Sequence, residues 1–139
     1  MPVHPVGDTP GLSQPAQSID HLVELYNTHQ IFINTSLWSP IPTALLEAAS
    51  CGCAIVSTAN CAIPEFIENG VNGYCTNDLN QMRLYLQELL QSPQKCRQMG
   101  EKARETVKEK FGMNQFVHNW NQMFKITANM IYKGEYFEG

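Results

Sequence analysis

Between two short apolar runs, Ile31-Phe32-Ile33 and Ala54-Ile55-Val56, the chain carries a single carboxylate, Glu47. Each run suits a strand buried on both faces. After a turn around Ser39-Pro40-Ile41-Pro42, the residues Ala44, Leu45, Ala48 and Ala49 recur at helical spacing, and Gly52 can end that helix. A helix in this place starts at the crevice beyond the strand's C-terminal end, where a doubly wound sheet holds a nucleotide. Its free N–H groups and its dipole suit a diphosphate. A carboxylate one turn into it can accept hydrogen bonds from both ribose hydroxyls. On pattern alone, a solvated helix glutamate is the simpler reading of Glu47.

Other chemistry is sparse. His4, His21, His29 and His118 are scattered, and nothing resembles a nucleophile–base pair or a glycine-rich phosphate loop. The five cysteines, Cys51, Cys53, Cys61, Cys75 and Cys96, lack the paired spacing of a zinc module. They read as reduced, packed thiols of a reducing cell interior. Asn34-Thr35-Ser36 matches a glycosylation sequon, but at the end of a buried strand the match reads as chance.

The elements that must position Glu47 follow from local signals. Residues 1–17 are rich in loop formers, with a strand fragment at Val3–Val6. Ser18 can cap a helix to about Thr28, with Ile19, Leu22, Val23 and Tyr26 on one face. A short helix from Ile63 and the turn Glu68-Asn69-Gly70-Val71-Asn72-Gly73 lead to a third strand at Tyr74-Cys75. Asp78 caps a helix whose apolar stripe is Met82, Leu86, Leu89 and Leu90. Ser92-Pro93 starts a charged helix to about Lys110 with a solvated face, and Phe111-Gly112 breaks it. A last helix from about Asn114 to Tyr132 sets Phe116, Trp120, Met123, Phe124 and Met130 on one side. Strand, helix, strand, helix, strand at this pitch predicts an α/β fold with a parallel sheet of about three strands flanked by helices.

The same segments carry a family resemblance. Ser36-Leu37-Trp38, then Leu46-Glu47-Ala48-Ala49-Ser50-Cys51-Gly52-Cys53-Ala54-Ile55-Val56-Ser57-Thr58, then Ile63-Pro64-Glu65-Phe66-Ile67 and Asn69-Gly70-Val71-Asn72-Gly73-Tyr74 resemble glycosyltransferase family 4. This is the "group 1" set of retaining enzymes with the two-domain GT-B fold. The resemblance implies a partial Rossmann-like domain, the second half of the C-terminal, nucleotide-sugar-binding domain. It extends weakly to Leu25-Tyr26, and downstream through Ser92-Pro93 to Met99-Gly100 and Ala103-Arg104. The implied activity is transfer of a sugar from a nucleotide diphosphate donor, with no metal or other cofactor. The alternatives are a non-catalytic nucleotide-sugar-binding or interaction protein, and one subunit of a split enzyme.

By that resemblance Glu47 is the second glutamate of the family's pair and holds the ribose. The donor site would add Ser39 and, at the helix start, Ile41, Thr43 and Ala44. The first glutamate of the pair is replaced by Ser39, which is shorter and uncharged and reads as either a sugar contact or a helix cap. The usual Gly-Phe-Gly is Pro40-Ile41-Pro42 here, and the two prolines remove backbone donors near the phosphates. Cys61-Ala62 stands where Gly-Gly is usual, and Glu65 suits its own helix N-terminus better than a ligand. Relatives carry further strand–helix units and an acceptor-binding domain, for which Met1–Ile31 has no room. The expectation is one partial domain over 1–139: a loop-rich start at 1–17, an α/β core at 18–112 and a C-terminal helix segment at 113–139. The last helix either packs on the chain's own sheet or leaves an apolar face for an acceptor-domain partner chain or for self-association.

At 139 residues the chain has room for one core of ordinary size, and 43% hydrophobic with 16% charged residues fits a globular protein. A net charge of −4 argues against nucleic-acid or anionic-membrane partners. No apolar run approaches the roughly 20 residues of a membrane helix, and the start MPVHPVGD is no secretion signal. Those features point to the cytoplasm.

Overall fold

Local chemistry starts most of the helices where the sequence places them. A computed structural model describes residues 3–7 and 9–132, with the side chains of 130–132 outside the description. Helix α1 (Ile19–Thr28) opens on Ser18, whose hydroxyl accepts from the His21 N–H at 3.1 Å. Strand β1 (Ile31–Asn34) follows, then α2 (Thr43–Ser50), β2 (Ala54–Ser57), the single turn α3 (Ile63–Phe66) and β3 (Tyr74–Cys75). Helix α4 (Leu79–Gln91) is capped by Asp78, whose carboxylate accepts from the Asn80 and Gln81 N–H groups. Helices α5 (Pro93–Phe111) and α6 (Met113–Tyr132) complete the order, with only Gly112 between them.

The three strands form one parallel sheet in the order β1-β2-β3, with Phe32 opposite Ile55 and Val56 opposite Tyr74. Alternation along β2 builds a core on each face. Ile55 joins Leu45, Ala48 and Ala49 of α2, Ile63 and Phe66 of α3, and Ala103 of α5. Ala54 and Val56 join Tyr74, Met82 and Leu89, with Cys96 and Met99 of α5. Helix α5 therefore reaches both faces. It passes beneath the start of β2 at Gly100, where an added Cβ would stand 1.9 Å from the Gly52 carbonyl oxygen. Only a glycine lets the two backbones approach this closely.

The turn before β3 is held by its asparagines. Asn72, which is buried, takes the Glu68 N–H on its Oδ1 and donates to the Phe66 carbonyl and the Thr106 hydroxyl. Asn69 exchanges two bonds with the Cys75 backbone. Only Gly70 of this turn has a left-handed φ, +84°; Gly73 is required by space, because a Cβ there would lie 3.0 Å from the Ile55 carbonyl oxygen.

Several expectations change. The fragment at Val3–Val6 reduces to a single bridge from Val6 to Gln14, since no strand among the described residues lies alongside to extend the pairing. The face expected on α1 is only partly used: Ile19 is 81% exposed, and Tyr26 is the member that packs on the core. On α4, Leu90 faces solvent, and Tyr85 packs instead, stacked on Tyr74 at 3.9 Å. The last helix is not core. Phe116, Trp120, Met123 and Phe124 are all about half exposed or more, because among the described residues α6 has only α5 as a neighbour of any extent. Residues 133–139, assigned above to the C-terminal segment, and the Met130 side chain lie outside the description.

Candidate functional site

The C-terminal ends of the three strands converge on a network of amide and hydroxyl groups. Asn34, 7% exposed, donates its amide to the Ser57 hydroxyl at 2.9 Å, and Ser57 donates on to the Thr58 carbonyl. Thr58 and Asn60 both donate to the Ser36 carbonyl, at 2.6 and 3.2 Å. Asn77, just after β3, accepts the Ala59 N–H at 2.9 Å and donates to the Asn60 side-chain oxygen at 3.1 Å. The loops after β1, β2 and β3 are thereby tied into one rim at the C-terminal ends of the strands. The buried amide of Asn34 already has its partner, which agrees with the sequon being chance.

None of this network was legible as a site. Asn34 and Ser57 lie 23 residues apart and meet only because β1 and β2 pair in register. The available signal was the small polar residues, Asn34 to Ser36 and then Ser57, Thr58 and Asn60, closing each apolar strand.

Helix α2 starts at this rim. Pro42 occupies the cap position with an extended backbone, φ −61° and ψ 132°, and the Thr43 and Ala44 N–H groups at the helix start have no intrahelical acceptors. The reading of Ser39 as a cap is corrected: it lies three residues before Pro42, half-buried in the loop, and no side chain caps α2. Two prolines in the loop fix φ and delay the first helical turn to Thr43. Ile41 turns its side chain toward the core, so only its backbone is available to a ligand. The loop is braced by the Ala62 N–H, which donates to the Pro40 carbonyl at 3.2 Å.

Glu47 is exposed on α2 and accepts a hydrogen bond from the Tyr26 hydroxyl at 3.1 Å. Tyr26 is half-buried, its ring edge-on to Phe32 at 6.1 Å. Glu65 sits in the first turn of α3, exposed, as expected of a residue serving its own helix. Ser39, Ile41, Thr43, Ala44 and Glu47 thus lie along one loop-to-helix path, with Glu65 on the neighbouring element.

The cysteines divide. Cys53, Cys75 and Cys96 are buried, and burial pushes the Cys53 thiol up to about 12. Burial also raises Cys75 and Cys96. Cys51 is half-buried; burial raises its thiol and the Arg104 charge partly opposes the rise. Cys61 departs from the packed-thiol reading. It is exposed in the rim loop with φ +51°, a left-handed backbone that costs a non-glycine residue about 1 kcal/mol. Among the described residues no cluster of three His, Cys, Asp or Glu side chains could hold a metal ion.

Comparisons with known proteins bear on the family and the fold. A family model described as "Glycosyl transferases group 1" matches residues 14–106. The N-acetyl-alpha-D-glucosaminyl L-malate synthase of Bacillus anthracis is 30% identical over 107 residues, 76% of this chain but 28% of that protein. The chain thus spans little more than a quarter of that relative's length. Among solved structures, a sucrose-phosphate synthase from Thermosynechococcus elongatus superposes with a TM-score of 0.70 at 18% identity, over 84% of this chain and 30% of that one. Anabaena HepE, solved in complex with UDP-glucose, gives 0.64 at 20% identity, over 78% and 30%. At these identities the two structures establish the fold: a partial α/β domain of the GT-B type, with a three-stranded parallel sheet flanked by helices.

Proposed function

The chain belongs to the glycosyl transferases group 1 family, and from that premise we propose that it is the donor-binding part of a retaining glycosyltransferase that uses a nucleotide-diphosphate sugar. The observation that carries the reading is the place of Glu47: a carboxylate on the helix that starts at the polar rim, with lone pairs to spare after its bond to Tyr26. In this reading Glu47 accepts from the ribose hydroxyls, the Thr43 and Ala44 N–H groups face the diphosphate, and Ser39 with the Ile41 backbone meets the sugar. No metal ion enters it. The bound UDP-glucose of the HepE structure, on the same fold, supports a nucleotide-sugar ligand.

A second reading, a nucleotide-sugar-binding protein without turnover, is favoured by two substitutions at the rim. Ser39 supplies no charge where the family places a glutamate, and Cys61-Ala62 replaces a glycine pair. Both readings share the ligand and the contacts. The apolar face of α6 is proposed as the contact surface for an acceptor-side partner chain or a second copy. No helix among the described residues is long and apolar enough to cross a membrane, and we place the protein in the cytoplasm.

The test is calorimetric titration with UDP, GDP and ADP. Glu47→Gln should weaken the best-bound nucleotide by about 1–3 kcal/mol, the range for a hydrogen bond to a charged group, and leave the melting temperature unchanged. Equal affinity in the variant removes Glu47 from the site.

A further inference from the structure

The Glu47 carboxylate has one hydrogen-bond partner among the described residues, and it comes from a different helix. Tyr26 lies 21 residues earlier, on α1, and its hydroxyl donates to Glu47 Oε2 at 3.1 Å. Little else about Tyr26 is free to move. Its ring packs edge-on against Phe32 of β1, and its backbone carbonyl lies 3.2 Å from the Cys53 Sγ, which also approaches the His29 carbonyl at 3.2 Å. The phenol is therefore fixed to the sheet, whereas the carboxylate it holds is exposed.

We propose that Tyr26 is a positioning residue for ribose recognition: it holds one oxygen of Glu47 so that the remaining lone pairs face the two hydroxyls of a nucleoside diphosphate. This rests on the assignment of Glu47 to the ribose. An exposed glutamate samples several rotamers, and selecting one of them on binding lowers affinity. A fixed donor makes that selection before the ligand arrives. The carboxylate has about four acceptor positions, so one bond to Tyr26 leaves enough for both hydroxyls. Burial first, and then the Glu47 charge, hold the phenol well above its usual range, so it remains a protonated donor at any physiological pH.

Tyr26→Phe keeps the ring that packs on Phe32 and deletes only the hydroxyl. Calorimetry on the wild type, Tyr26→Phe and Glu47→Gln would compare UDP, GDP and ADP with their 2′,3′-dideoxy counterparts, which lack both hydroxyls. The expected result is a loss of about fivefold for the ribonucleotide in Tyr26→Phe, within the range of one hydrogen bond, and less than about twofold for the dideoxy form. A purely structural role would weaken both ligands equally, and that result overturns the inference. Wild-type affinity in Tyr26→Phe alongside a loss in Glu47→Gln also overturns it while leaving Glu47 on the ribose. A wild-type chain that binds ribo and dideoxy forms alike, or binds neither, overturns both assignments together.

Discussion

Helices α5 and α6 are consecutive, 19 and 20 residues long, and reverse the roles their compositions suggest. Helix α5 is the more polar, yet Cys96, Met99, Gly100 and Ala103 are all buried against the sheet and α2. Helix α6 carries Phe116, Trp120, Met123 and Phe124, and all four are exposed. The three aromatic rings line up along the surface, with Trp120 at 6.0 Å from Phe116 and 5.5 Å from Phe124. The difference teaches that close backbone approach, opened at Gly100, rather than the number of bulky apolar side chains decides which helix is core here. A stripe of sulfur, glycine and methyl groups lets α5 approach the backbone of β2, and dispersion and burial follow from proximity. The bulky face of α6 meets no sheet.

The most direct way to break the contrast is to give α5 one methyl group. In Gly100→Ala the new Cβ would collide with the Gly52 backbone, which cannot swing aside like a side chain. A loss of about 3 kcal/mol or more is expected by urea unfolding, at the upper end of overpacking costs. Stability near the wild type would mean that α5 is not seated against Gly52.

The complementary change on α6 should cost almost nothing. Trp120 is 48% exposed, so Trp120→Asp is expected to shift stability by under about 0.5 kcal/mol. Sedimentation velocity adds the second measurement: a wild-type chain that self-associates should become monomeric in this variant. A loss of several kcal/mol on Trp120→Asp would place the indole in a core and erase the contrast.

An effect on the scale of a single ion pair sharpens how α5 is attached at its start. Glu88 of α4 accepts from Lys95 of α5 and from the Tyr74 hydroxyl, the latter at 3.0 Å. The Lys95 hydrogen bond holds the Glu88 carboxyl below its usual range, against the opposing effect of burial. The Glu88 bond raises Lys95. For Glu88, the stabilisation is therefore present above the unfolded carboxylate's pKa of about 4.3 and is lost as pH falls through the lower folded value. Both side chains are more than a third exposed, at 39% and 42%, so water screens the pair to under about 1 kcal/mol. Lys95→Met should flatten the stability profile below about pH 5 by that amount. An unchanged acid profile would make the pair ornamental to α5.

Much of the architecture was open to a reading of the residues. Ser18 and Asp78 cap the helices they were expected to cap, the apolar triplets are strands, and Gly112 separates the last two helices. Those signals act within a few residues, so the local chain settles them. The stripe Cys96, Met99, Gly100 and Ala103 was also present at helical spacing, but the surrounding Lys, Arg and Glu residues masked it. At the candidate site, Glu47 and the start of α2 were singled out from motif and spacing. The rim of Asn34, Ser57, Thr58 and Asn77 was not, because its members belong to different strands and loops.

What the sequence determined by itself was the order and type of the elements, together with which side chains could share a helical face or a strand face. Capping, backbone freedom and hydrophobic period are properties of neighbours along the chain. Only the tertiary structure decided what each face meets. It brought Tyr26 to Glu47, Gly100 to Gly52 and Asn34 to Ser57, and it left α6 with its aromatic face in solvent. A period names a face but carries no information about distance across space, and hydrogen bonds and close packing depend on that distance alone.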